Sequence, residues 1–163
     1  MTKEQEFTRL VSENKGIIYK ICNSYCSDKN DREDLAQEII YNLWKSFDSF
    51  NNEFKFSTWM YRIALNVAIS FYRREKKFKN HDSISEGLIV FEEMSEDIEV
   101  ENNLLLLQDF INELKEIDKA IILLYLDDKS HREIAHITGF TETNVATKIN
   151  RIKDKLRTNF SNK

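Results

Sequence analysis

Proline is absent from all 163 residues, and glycine occurs only three times. Sandwiches and barrels need many tight turns, and turns draw heavily on these two residue types. A chain without them consists of long uninterrupted segments, and the segment that needs least punctuation is the helix. The expected fold class is therefore all-α. Hydrophobic residues, 41% of the chain, supply a core, and 32% are charged and can cover it. That balance excludes collagen-like, low-complexity and wholly disordered chains.

Apolar spacing predicts helices at about 4–26, 31–47, 56–79, 98–114, 117–127, 131–138 and 142–159. The segment 80–103 interrupts this series; it contains Gly87 and has thin helical periodicity. The expected organisation is two small helical domains, residues 1–79 and 104–163, joined by a linker at 80–103. The start, Met1 to Leu10, alternates in charge and lacks an apolar signal core. The longest apolar run, Ala120–Leu126, has seven residues, far short of the ~20 that a membrane helix requires. A soluble cytoplasmic protein with no membrane insertion of its own is expected.

The net charge of −4 hides a strong pattern. Residues 51–80 carry seven basic and two acidic side chains, a net of +5. Residues 81–110 carry nine acidic side chains and no Lys or Arg, and residues 129–163 return to +5. Two basic blocks thus flank an acidic middle, and each block could meet phosphate although the mean charge would not. Solvated helix faces and a solvated acidic linker are the plainer reading.

The sharpest motif runs from Ser130 to Thr141. Ser130 with Glu133 forms a capping box, in which each side chain satisfies a free amide at the helix start. Ile134, Ala135 and Ile137 give a short apolar face. Gly139 stands where the chain must turn, and Thr141 can cap the next helix. Helix, glycine turn and capped helix at this spacing predict a helix-turn-helix. At about 100° per residue, Val145, Ile149, Ile152 and Leu156 fall on one stripe of the second helix. Thr143, Thr147, Asn150 and Arg151 lie opposite, flanked by Lys148, Lys153 and Lys155. Short polar groups at the centre suit base edges in a major groove, and lysines beside them suit phosphates. An ordinary amphipathic terminal helix would show the same stripe.

The second basic block lies on the helix predicted at 56–79. Met60, Ile63, Ala64, Val67 and Phe71 make its apolar face; Arg62, Asn66, Ser70, Arg73 and Lys77 make a polar stripe that also holds Trp59. An aromatic ring among cations can stack on an unpaired base while the cations hold the strand. Trp59 could equally pack against another helix. Phe47, Phe50, Phe54 and Phe56 precede it in a polar stretch; some must be core, and Phe50 could line a base pocket. The preceding helix, around 31–47, points Leu35, Ile39 and Leu43 inward and Asp34, Gln37, Glu38 and Tyr41 outward. An acidic face repels DNA, so it is either solvated or a protein-docking face.

Three ordered motifs, Asp31–Glu38, Phe56–Asn66 and the helix-turn-helix from Ser130, resemble a small sigma factor of bacterial RNA polymerase, of the extracytoplasmic-function (ECF) group. The resemblance covers nearly the whole chain. It implies a transcription initiation factor whose partners are core RNA polymerase, promoter DNA and an anti-sigma factor. Asp34, Gln37 and Glu38 would dock on the polymerase's largest subunit. Phe50, Asn66 and Trp59 would hold the non-template strand of the minus-ten element. Thr147, Asn150 and Arg151 would read the minus-thirty-five element as duplex. The acidic linker would run through the polymerase and mimic phosphate there. The promoter sequence is not implied: Ser70 stands where the family commonly has aspartate, Asn144-Val145 where Thr-Val is usual, and Lys115 where proline is frequent.

Other chemistry finds little support. His131 and His136 are five residues apart, about 140° around a helix, so they cannot share a metal from one face. Cys22 and Cys26 have no third ligand nearby in sequence and read as reduced, half-buried thiols. No phosphate loop or nucleophile elbow occurs. No catalytic residue, metal or cofactor is expected. The alternatives are a sigma-like adaptor that sequesters a partner protein and a one-component helix-turn-helix regulator. The first should lack the basic faces; the second leaves the acidic helix and Trp59 unexplained.

Overall fold

The structure, a computed structural model, describes residues 1–79 and 98–161. Among the described residues there are eight α-helices and no strand. They are α1 (Lys3–Glu13), α2 (Lys15–Tyr25), α3 (Lys29–Ser46), α4 (Phe56–Lys79), α5 (Ile98–Glu113), α6 (Glu116–Leu126), α7 (His131–Thr138) and α8 (Glu142–Ser161), with a 3-10 turn at Phe47–Ser49. The chain divides into two compact units, residues 1–87 and 88–163. Of the predicted acidic linker, residues 98–103 form the first turns of α5; the remainder, 80–97, lies outside the described residues.

In the first unit the single helix expected at 4–26 is two, broken at Asn14. Asn14 leaves helical geometry at φ −118° and ψ 18°. Its backbone N–H turns to the Val11 carbonyl at 3.1 Å, and its side-chain amide donates to the carbonyl of Leu10 at 2.8 Å. Asp28 starts α3 earlier than apolar spacing indicated, because its carboxylate accepts from the backbone N–H of Asn30 at 2.6 Å. The core is built by α4 lying against both α2 and α3. Ile21, Leu35, Ile39, Leu43, Met60 and Tyr61 are fully buried there, each worth ~1.5–3 kcal/mol of transfer free energy. Two neighbours bury two adjacent faces of α4. Tyr61, Leu65, Ala68 and Ile69 therefore join the expected Met60, Ala64 and Phe71, while Ile63 and Val67 sit half-buried at the margin.

The second unit packs α5, α6 and α7 around α8. Ile111, Ile121, Leu124, Ile134, Val145 and Ile149 are its fully buried side chains. Helix α7 starts as its sequence dictates: the Ser130 hydroxyl accepts from the Glu133 N–H at 3.1 Å, and the Glu133 carboxylate accepts from the Ser130 N–H at 3.5 Å. It ends at Gly139, whose φ of 86° is left-handed and whose N–H donates to the Ala135 carbonyl at 2.8 Å. Thr141 then caps α8, accepting from the Asn144 N–H at 3.1 Å.

An added Cβ at Gly139 would meet nothing within 4 Å, so only the backbone conformation opposes a side chain there. Gly139→Ala is expected to cost about 1 kcal/mol, the strain of a left-handed alanine. Denaturant unfolding should show this as a lowered midpoint at constant slope. An unchanged midpoint would mean that the turn relaxes out of the left-handed region.

Candidate nucleic-acid interface

The polar stripe of α4 is a surface feature. Arg62, Asn66, Ser70, Arg73 and Lys77 are all exposed. They stay out because the opposite half of the helix is consumed by α2 and α3. At the N-terminal end of the stripe Trp59 is half-buried in a group of aromatic rings. Its ring centre lies 5.3 Å from that of Phe56, 5.5 Å from Phe50 and 6.3 Å from Phe47. Phe50 meets Phe56 edge-on at 5.3 Å. Phe47 and Phe56 are buried, whereas Phe50 and Trp59 are half-buried. The two readings of Trp59 thus both hold in part: the ring packs within its own domain, and part of it stays accessible beside the cationic stripe.

Phe47 and Phe56, which back this platform, carry no signal in helical periodicity; the only clue is the density of phenylalanines in a polar stretch. The backbone between them is shaped by Asn52, which holds φ 63°, and by Asn51, whose side chain accepts from the Glu53 N–H at 3.1 Å. Asn-Asn is a turn signal of known mechanism, since short amides bond their own backbone and tolerate left-handed geometry.

On α3, Asp34, Gln37 and Tyr41 are exposed, Tyr41 at 63%. Glu38 differs. It is half-buried, and its two carboxylate oxygens accept from one guanidinium nitrogen of Arg74 at 2.9 and 3.0 Å. The pair links α3 to α4 at the surface, with the Arg74 side chain about half exposed. Ile40, exposed at 41%, adds an apolar element to that face, which makes it less uniformly acidic than the sequence implied.

On α8, Val145, Ile149 and Ile152 are buried and Leu156 is half-buried. Thr143, Thr147, Asn150, Arg151 and Lys155 are exposed. The Thr147 hydroxyl donates to the Thr143 carbonyl at 3.0 Å, which fixes its rotamer. Lys148 is half-buried, with its ammonium 5.0 Å from the Phe140 ring centre, and Lys153 sits 4.6 Å from that of Tyr125. Two of the three flanking lysines thus rest on aromatic faces. Arg157 pairs with Asp154 at 3.1 Å. Arg151 on the polar face and Lys155 on its flank are exposed cations.

Cys22 and Cys26 are buried rather than half-buried. Burial pushes the Cys22 thiol up to about 12, against a smaller opposing pull from Arg32. The folded thiol therefore keeps its proton at neutral pH and is a packing group. Among the described residues no three His, Cys, Asp or Glu side chains come together as a metal site. No helix there is long and apolar enough to cross a membrane.

The chain matches the family Sigma-70 region 2 over residues 10–78 and Sigma-70, region 4 over residues 104–156. It is 31% identical over 165 residues to the ECF RNA polymerase sigma factor SigW of Bacillus subtilis, covering 94% of this chain and 88% of that protein. It is 28% identical over 148 residues to the RNA polymerase sigma factor SigV of the same organism, covering 90% and 86%. The ECF RNA polymerase sigma-E factor of Haemophilus influenzae is 27% identical over 164 residues, covering 94% and 86%. Among solved structures, the sigma factor RpoE of Bartonella quintana, in complex with the anti-sigma factor NepR, superposes with a TM-score of 0.72 at 20% identity, covering 97% of this chain and 96% of that one. CnrH, in complex with the cytosolic domain of CnrY, gives 0.68 at 19% identity, covering 98% and 90%. At those identities the structural likeness speaks to the fold.

Proposed function

The chain belongs to the ECF sigma factors of RNA polymerase, and from that membership we infer how its two units divide the work of starting transcription. It is a transcription initiation factor that acts with RNA polymerase at promoter DNA. The first unit captures the non-template strand of the minus-ten element. Phe50 and Trp59 offer ring surface to an unstacked base, and Arg62, Asn66, Ser70, Arg73 and Lys77 hold the strand along α4. The exposed Asp34, Gln37 and Tyr41 of α3 dock on core polymerase, with Glu38 bracing α3 against α4 through Arg74. The second unit reads the minus-thirty-five duplex through α8. Thr143, Thr147, Asn150 and Arg151 face base edges, with Lys155 and, once it leaves the Phe140 ring, Lys148 on phosphate.

One observation carries this reading: a cationic polar stripe on α4, whose other half is core, meets an aromatic platform at the N-terminal end of that helix. A repressor's helix-turn-helix explains α7 and α8 and leaves that arrangement without a use. Two similar solved structures are complexes, one with the anti-sigma factor NepR and one with the cytosolic domain of CnrY; a protein partner of the anti-sigma class is proposed here too. The place of action is the cytoplasm, where the polymerase works, and the chain supplies recognition rather than catalysis of its own.

The test is run-off transcription by a bacterial core polymerase on a genomic promoter pool, with and without this protein. Promoter-specific transcripts that require the protein are expected. Polymerase binding without transcripts would instead indicate a regulator that occupies the enzyme. Loss of both would return the chain to the adaptor or repressor readings.

A further inference from the structure

Helix α1 is held in an unusual way. Its one buried side chain is Phe7, 8% exposed. That ring meets Trp44 edge-on at 5.1 Å and Phe47 edge-on at 5.2 Å. Lys3, one turn earlier, pairs with Asp48 at 3.0 Å and places its ammonium 4.7 Å from the centre of the Trp44 ring. Both anchors of α1 therefore land on the 3-10 turn Phe47–Ser49 and on Trp44, in the last turn of α3 before it. From Phe47 the contacts continue outward without a gap. Its ring touches Phe56 at 6.4 Å and Trp59 at 6.3 Å, and its carbonyl accepts from the Phe50 N–H at 3.1 Å.

We propose that α1 is a strap that positions the strand-capturing platform, with Lys3 and Phe7 as positioning residues that fix the turn from which Phe50 projects. The inference rests on the minus-ten reading of Phe50 and Trp59. It goes beyond that reading because Lys3 and Phe7 precede the span, residues 10–78, that matches Sigma-70 region 2. A base captured on half-buried rings needs those rings in place beforehand; otherwise part of the binding free energy is consumed in ordering them. The strap supplies that order from outside the cluster. Phe7 blocks Phe47 from behind, and Lys3 holds Asp48, so Phe50 starts from a turn fixed at two successive residues. An exposed ion pair contributes little to global stability, so the effect of Lys3 belongs in the geometry of the platform.

The experiment uses holoenzyme and a promoter recovered by run-off, with 2-aminopurine in the non-template minus-ten strand. The variants are Lys3→Met, which keeps the stem and removes the charge, Phe7→Leu, and Lys3→Arg. Lys3→Met is expected to lower the open-complex signal roughly threefold, and Phe7→Leu up to about tenfold, the range that edge-to-face ring contacts and a cation over a ring span. Lys3→Arg restores the signal. Affinity for core polymerase and for a duplex minus-thirty-five fragment stays within about twofold, since neither Lys3 nor Phe7 belongs to those surfaces. Variants that open the promoter as wild type does overturn the strap, and so does a parallel loss of polymerase affinity, which would make α1 a general structural support. Phe7→Leu could destabilise the domain; Lys3→Met alters an exposed residue and decides the matter alone. Wild-type holoenzyme that opens no promoter would sink the minus-ten reading itself, a result distinct from a wild type that opens and variants that open equally well.

Discussion

Trp59→Ala is expected to lower the yield of open promoter complexes by roughly 5- to 150-fold, the equivalent of the ~1–3 kcal/mol that one base gains by stacking on an aromatic ring. The ring also has a structural job, packed among Phe47, Phe50 and Phe56. Its removal should destabilise the first unit by about 2–3 kcal/mol, less than the ~3–5 kcal/mol of a fully buried tryptophan. Two companions separate the effects. Trp59→Phe keeps an aromatic surface and should recover most of both. Asn66→Ala alters an exposed side chain on the same stripe; it should leave the melting temperature unchanged and still impair opening, by roughly tenfold for one lost polar contact. Phe50→Ala should follow Trp59→Ala in opening at a smaller structural cost. Duplex contact through the second unit should survive in all of them. Open complexes at wild-type level in Asn66→Ala would show that strand capture does not run along this stripe.

Much of this arrangement was legible before any coordinates, for a definite reason. Where one residue type does one job at a fixed spacing, the sequence states it: Ser130 and Glu133 cap, Gly139 turns, and Val145, Ile149 and Ile152 face inward, as the structure has them. The stripe of α4 was legible because a helix with one solvated face must alternate at the helical period. What was not legible depends on two partners at once. The first helix breaks at Asn14, whose side chain bonds the Leu10 carbonyl, yet Asn42 makes the same bond to the Glu38 carbonyl inside an unbroken α3. The breadth of the buried face on α4 follows from having two neighbours, which one helix cannot announce. The surface pairing of Glu38 with Arg74, 36 residues away in sequence, is one example. The ring contacts of Lys148 with Phe140 and of Lys153 with Tyr125 are others, since only the packed unit supplies the positions of those rings. Pairings distant in sequence have no period, so spacing arguments miss them.

That last distinction sets the second large effect. Arg151→Ala is expected to weaken binding of holoenzyme to the minus-thirty-five duplex by roughly 5- to 150-fold, the ~1–3 kcal/mol of a two-bond contact between arginine and guanine. Arg151 is exposed at the centre of the polar face of α8, next to Asn150 and one turn from Thr147. Its loss should relax sequence preference at one base pair and leave the others as they were. Arg151→Lys should not restore that preference, because an ammonium lacks the planar fork that matches guanine. Lys155→Ala makes the contrast. It should weaken all duplexes alike and reduce the dependence of affinity on salt by about one counterion. Lys148→Ala should do less than either, since its ammonium already gains from the Phe140 ring, 5.0 Å away, and must surrender that contact to reach phosphate. Binding curves at several salt concentrations, on a promoter and on single-base variants of its minus-thirty-five element, decide among the three. A uniform loss across all sequences for Arg151→Ala would make Arg151 a phosphate ligand and move sequence reading to Thr143, Thr147 and Asn150. A Lys148→Ala variant with the largest salt effect would mean that the ring contact is given up on DNA at negligible cost.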